Sequence, residues 1–125
     1  MHKILLVEDE KILRDAYTIM LKSHADYKID IAMNGQEALE LCKKYTYDII
    51  LLDLMMPILD GVGFLKKAML TTVAPRTRVV IMSNLSTGEG VSQAMKLGAH
   101  RQAVKSDLSP RDVMKIVREE LGALK

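Results

Sequence analysis

The strongest constraint on this chain is a set of three short, almost continuous apolar runs, at residues 3–7, 49–52 and 79–82, separated by longer amphipathic stretches. Such a run has no polar face to offer water, so it must be buried on both sides. A central strand of a parallel sheet covered by helices is in that situation. Two further segments read as edge strands: residues 27–32 alternate, with Asp30 between Ile29 and Ile31, and residues 101–104 are short and half polar.

The intervening stretches repeat at helical spacing. Ile12, Ala16, Ile19 and Met20 form one stripe, and Ala38, Leu41 and Cys42 a second. Phe64, Leu65, Ala68 and Met69 form a third; Val91, Ala94 and Met95 form a fourth, weakened at its start by Gly88 and Gly90. The last helix has the clearest signals. Ser109 reads as its N-cap, Pro110 as its first residue and Asp112 as the box partner, with Val113, Ile116, Val117 and Leu121 on the buried face and Gly122 at its close. Five βα units result, and alternating units of this kind imply a parallel sheet with helices on both faces. With the three apolar runs central, right-handed crossovers and known precedent lead to strand order 2-1-3-4-5, a flavodoxin-like (βα)5 doubly wound α/β fold.

Composition narrows the function. A chain of 125 residues suits one domain, taken here as 1–125, and 49% apolar residues suit a globular one. The net charge of +2, with both signs interspersed, argues against direct nucleic-acid binding. A lone cysteine, Cys42, forms no internal disulfide and lies on an apolar helical face, so it reads as core. No apolar run reaches membrane-spanning length, and the start MHKILLVED is not a signal peptide, so the expectation is a cytoplasmic protein with no membrane contact.

Ligands of such sheets bind beyond the carboxyl ends of the strands. At those ends stand Glu8-Asp9-Glu10 after the first strand, Asp53 after the third, Ser83-Asn84 after the fourth and Lys105 after the fifth. Each feature alone has a bland reading. Acids favour helix N-termini, and an aspartate often ends a strand in a turn. Together they converge on one rim. Carboxylates with ordinary pKa values near ~4 would repel one another there, and a hard cation with oxygen ligands, Mg²⁺ or Mn²⁺, would relieve this. Lys105 adds a second positive charge. The set suits a phosphoryl group, with Asp53 as nucleophile and Ser83 donating to a phosphoryl oxygen.

At this point the sequence resembles the response regulator receiver domains of two-component signalling (CheY-like). The matching stretches are ILLVEDE, DIILLDLMMPILDG, VVIMSN and GAHRQAVKSDLSP, and they cover essentially the whole chain. The resemblance implies that Asp53 is the phosphoacceptor, that Glu8 and Asp9 are the acidic pair with Asp9 a direct metal ligand, and that the backbone carbonyl of Met55 is a further ligand. Ser83 and Lys105 take the switch-hydroxyl and lysine roles. The chain departs from the family pattern at Gln102, where an aromatic lever is usual, and at Ser106, where proline is common.

The resemblance further implies a signalling switch and not a metabolic enzyme, promoting its own Mg²⁺-dependent phosphorylation at Asp53. The donor would be a histidine kinase or phosphotransfer protein. Output would pass through the face of the fourth helix, fifth strand and fifth helix, with Lys96, Arg101, Gln102, Lys115 and Arg118 exposed on it. The target would be a downstream protein or an output domain missing from this chain, and a phosphorylation-dependent dimer stays open. Apolar Met55 and Leu85 stand where fast-cycling relatives carry polar groups, so slow hydrolysis is expected. A flavodoxin-like electron carrier would instead need a phosphate-cradling loop after the first strand, where this chain has acids. A receiver-like module that is never phosphorylated is disfavoured by the intact acidic set.

Overall fold

The computed structural model describes residues 1–84 and 88–122. The chain runs β1 (His2–Val7), α1 (Lys11–Lys22), β2 (Tyr27–Ala32), α2 (Gly35–Lys44), β3 (Ile49–Asp53), α3 (Gly61–Ala68), α4 (Leu70–Val73), β4 (Arg78–Ser83), α5 (Glu89–Lys96), β5 (Arg101–Val104) and α6 (Pro110–Gly122), with a 3₁₀ turn at Lys105–Asp107. All the strand pairings are parallel, in the order β2-β1-β3-β4-β5. The doubly wound architecture expected from the apolar runs is therefore present.

Alternation along the strands divides the core into two layers. Leu5, Val7, Ile50, Leu52, Val79 and Ile81 pack with Ala38, Phe64, Leu65, Val91 and Ala94, on the side of α2, α3 and α5. Ile4, Leu6, Ile49, Leu51, Val80 and Met82 pack with Tyr17, Leu21, Val113, Ile116, Val117 and Leu121, on the side of α1 and α6. Burying each of these larger side chains is worth ~1.5–3 kcal/mol. The capping box of α6 forms as expected: the Asp112 amide donates to Ser109 Oγ at 3.2 Å, and the Ser109 amide donates to Asp112 Oδ2 at 2.9 Å.

The helices correct the sequence reading in three places. On α1 the buried residues are Tyr17, Thr18 and Leu21, with Leu13 packed beside them, while Ile12 and Ile19 are 84% and 73% exposed. Two apolar stripes compete on this helix, and the one bearing the Tyr17 ring with Leu13 and Leu21 has more surface to bury. Met69 does not extend the α3 stripe: it adopts φ 51°, ends α3, and hands burial to Leu70 in the short α4. Met95 is likewise exposed. Among the described residues six α-helices thus stand where five were expected.

The loop after β3 is tightly built. Gly61 packs so close that a Cβ there would lie 2.7 Å from the Asp53 carbonyl oxygen, and its amide donates to the Leu54 carbonyl at 3.0 Å. The Leu59 amide donates to the Pro57 carbonyl at 2.7 Å, closing a three-residue turn about Ile58. Ile58 has φ 69°, a region that a β-branched residue adopts only under strain, and its side chain is 82% exposed. Relief of that strain without loss of packing leads to an expected result: Ile58→Asn stabilises the fold by about 1 kcal/mol. Chemical denaturation would measure it, and a less stable variant would show that Ile58 makes a contact worth more than its strain.

Candidate functional site

Three side chains meet at the carboxyl edge of the sheet because of strand parity. Glu8 follows Ile4 and Leu6, Asp53 follows Ile49 and Leu51, and Lys105 follows Ala103, so each continues the α1/α6 side of its strand. The register sets Val7 beside Leu52, and Asp53 beside Met82. Lys105 Nζ lies 2.8 and 2.9 Å from the two Glu8 carboxylate oxygens and 3.0 Å from Asp53 Oδ2. Glu10 approaches the same ammonium at 3.8 Å. Glu8, Asp53 and Lys105 are all buried, whereas Asp9 is exposed.

The electrostatics follow from this packing. Burial, opposed by the Lys105 hydrogen bond and reinforced by the Glu8 charge, pushes the Asp53 carboxyl up to about 7. Burial also works against the Lys105 charge, but hydrogen bonds to Glu8 and Asp53 outweigh it and hold this ammonium above its ordinary range. One cation thus shares two carboxylates in a desolvated site, which is not fully compensated.

Glu8, Asp9 and Asp53 each bring one carboxylate oxygen within 4.8 Å of the others. Hard oxygen donors with surplus negative charge fit a divalent cation of the magnesium type, with solvent reaching it past Asp9. Met55 lies at the rim, its side chain exposed and its amide donating to Asp53 Oδ1 at 3.2 Å.

Ser83 and Gln102 sit on the other side of the sheet edge. Ser83 continues the Val79–Ile81 side of β4, facing α5, and Gln102 pairs with Ile81 in register. Ser83 is buried and Gln102 half-buried. The Lys105–Ser106 bond is trans, like every peptide bond among the described residues.

Sequence reasoning missed two contributors. The Arg14 guanidinium donates to the carbonyls of Glu8 and Asp9, both at 3.2 Å, and so ties the acidic loop to α1. Tyr17 is buried in the α1/α6 layer of the core, its hydroxyl buried and without a hydrogen-bond partner among the described residues. Arg14 carried no motif signal; Tyr17 did carry one, the fourth-residue spacing of Leu13, Tyr17 and Leu21, which the competing stripe of Ile12 and Ile19 masked. Their roles arise from the turn between β1 and α1.

Comparison with known proteins decides the family. Residues 4–118 match the response regulator receiver domain family. The chain belongs to that family. A protein-glutamate methylesterase/protein-glutamine glutaminase 1 of Methanosarcina mazei is 38% identical over 123 residues, 95% of this chain but 33% of that protein. The chain spans a third or less of the length of the first curated relatives it matches. The chemotaxis protein CheY4 of Vibrio cholerae is 26% identical with a TM-score of 0.84, covering 95% of this chain and 98% of that one. A CheY-like receiver domain protein of Methanospirillum hungatei, 22% identical, shares the fold with a TM-score of 0.88 over 99% of this chain and 96% of that one. The receiver is thus a phosphoacceptor module of two-component signalling, with an acidic cluster of the kind that binds Mg²⁺ in this family. No helix among the described residues is long and apolar enough to cross a membrane.

Proposed function

We propose that Asp53 is the residue that accepts the phosphoryl group, and that a histidine kinase or phosphotransfer protein supplies it. The observation that carries this reading is the sharing of Lys105 between Glu8 and Asp53 beside an exposed Asp9. Asp53 attacks phosphorus with a carboxylate oxygen, a new P–O bond forms, and the bond to the donor's nitrogen or oxygen breaks. Lys105 has three N–H donors and turns one toward a phosphoryl oxygen. Ser83 Oγ donates to another from the α5 side. Glu8, Asp9, Asp53 and the Met55 carbonyl would hold Mg²⁺ or Mn²⁺, whose charge offsets that of the phosphoryl oxygens and of the carboxylates themselves.

Partner contacts fit the same frame. Ile12 and Ile19 are exposed on α1, whose start adjoins the acidic loop, and offer an apolar surface to a phosphodonor protein. Output would run through α5, β5 and α6, the elements the sequence reading numbers fourth helix, fifth strand and fifth helix. Lys96, Lys115 and Arg118 are exposed there. Gln102 is half-buried, and Arg101 is partly engaged, 3.5 Å from Glu120 and 3.6 Å from Glu119. A downstream protein, an output domain on a longer chain, or a second phosphorylated receiver would each meet this face. Slow hydrolysis rests on Met55 and Leu85; Leu85 lies outside the described residues.

Metal binding tests the acidic set without any donor. Mg²⁺ should raise the melting temperature progressively, by the equivalent of about 2.7 kcal/mol at a hundredfold excess over its dissociation constant. Asp9→Ala should flatten that response. An equal shift in the variant would place the cation elsewhere. Phosphorylation itself is tested by intact mass after incubation with a small phosphodonor, with and without Mg²⁺.

A further inference from the structure

Lys105 carries a burden that changes when Asp53 is phosphorylated. In the resting arrangement its ammonium lies within 3.0 Å of both Glu8 and Asp53, with Glu10 farther off at 3.8 Å. A phosphoryl group adds anionic oxygens that compete for that ammonium. Glu8 is fully buried and cannot turn to bulk water in exchange. Its Oε2 accepts from the Lys105 ammonium at 2.9 Å and from the Glu10 amide at 3.2 Å, whereas its Oε1, with only the ammonium 2.8 Å away, makes no hydrogen bond even at rest. A buried carboxylate that loses a donor needs another.

Tyr17 carries an uncommitted donor, as does the adjacent Thr18. Tyr17 lies on α1, 1% exposed, in the same layer as Leu6 and Leu51, the strand residues whose side Glu8 and Asp53 continue. Its hydroxyl has no hydrogen-bond partner among the described residues. The charges that act on it are those of this site, Glu8 foremost and then Lys105, Glu10 and Asp53. Burial raises its pKa, which keeps the phenol protonated and able to donate. A phenylalanine would fill the same space, so the hydroxyl contributes nothing to packing. Buried hydroxyls without partners are destabilising, so one placed here calls for a use.

We propose that Tyr17 is a positioning residue of the receiver site, whose hydroxyl is the reserve hydrogen-bond donor for Glu8 when Lys105 turns toward a phosphoryl group on Asp53. This rests on the reading that Asp53 is the acceptor. A neutral donor suits the task, because it holds the Glu8 carboxylate in place without adding charge that would compete with a cation. The device is conditional: it acts in the phosphorylated state and is idle in the resting one.

Tyr17→Phe tests it. The probe is beryllofluoride, a non-reacting stand-in for the phosphoryl group, at saturating Mg²⁺. The variant is expected to bind beryllofluoride at least about tenfold more weakly, the loss of one hydrogen bond to a charged group, while its melting temperature without ligand is equal to or above that of the wild type. Equal beryllofluoride affinity overturns the proposal. So does a lowered unliganded melting temperature, which would mean that the hydroxyl is already bonded at rest. A second reading needs no substitution in the measured protein. In ¹³C NMR of tyrosine-labelled wild type, the Tyr17 ring carbon bearing the hydroxyl should shift on adding beryllofluoride, and an unmoved signal overturns the proposal. Asp53→Asn separates the two levels. Wild-type binding that vanishes in Asp53→Asn upholds the acceptor reading whatever Tyr17→Phe does, whereas a wild type that does not bind removes both.

Discussion

Asp53→Asn is expected to abolish phosphorylation from a small phosphodonor and, in the same protein, to raise the melting temperature without metal. The first effect follows from chemistry: an amide oxygen is not a competent nucleophile toward phosphorus, and on the proposed reading Glu8 and Asp9 hold the cation and do not replace the acceptor. Intact mass spectrometry would detect it, and unchanged labelling of the variant would falsify the acceptor assignment. The second effect follows from the raised Asp53 pKa of about 7. The unfolded carboxyl titrates near 3.8, so between those values the folded state binds more protons. The contribution of this group to stability is therefore fully present below pH ~4 and is lost as pH rises through ~7. Asparagine does not titrate, so its advantage should be absent at low pH and grow toward pH 8. Loss of the Lys105 partner offsets part of it, leaving a gain of about 1–2 kcal/mol. A gain that shrank as pH rose would contradict burial and repulsion as the cause.

Lys105→Met should have the largest effect on the fold. It removes the cation from between two buried carboxylates that it contacts at 2.8 and 3.0 Å. Breaking a buried ion pair from one side costs about 3–5 kcal/mol, because the remaining charge is stranded. Here two are stranded, and they repel. Asp53 can escape by binding a proton, which moves its already raised pKa further up. The variant should then lose much more stability at pH 8 than at pH 5, and Mg²⁺ should restore part of the loss by binding only the native state. Urea denaturation at both pH values, with and without Mg²⁺, would measure this. Equal losses at both pH values would mean that lost packing of the lysine stem, and not charge, is responsible. Phosphorylation by a small donor should fall at least ~100-fold, as is typical when one stabilising group is removed from a charged transition state.

The order of elements was legible in the sequence because its cause is local. The runs at residues 49–52 and 79–82 have no polar face, so only two-sided burial suits them. Helical stripes between them demand crossovers, and chirality limits how those run. That Glu8, Asp53, Ser83 and Lys105 all stand at the carboxyl edge of the sheet follows from the same logic, since each lies at a strand's end, although only Glu8, Asp53 and Lys105 share one side of it. The α6 cap was readable for a similar reason: Ser109 and Asp112 satisfy each other's amides within a single turn.

Tertiary structure alone decided the rest. Which apolar stripe of α1 is buried depends on what the sheet presents to it, and the Tyr17 stripe prevails over that of Ile12 and Ile19 because of the layer it meets. The break at Met69 and the turn at Ile58 are backbone conformations those residues do not favour by themselves, imposed by the connections on either side. The pairing of Lys105 with both Glu8 and Asp53, across 97 residues in the case of Glu8, is a matter of register and burial. A sequence determines which charges reach a site. Their separation, and the water left around them, come only from packing, and those two quantities set the pKa of Asp53 and the work that Lys105 and Tyr17 can do.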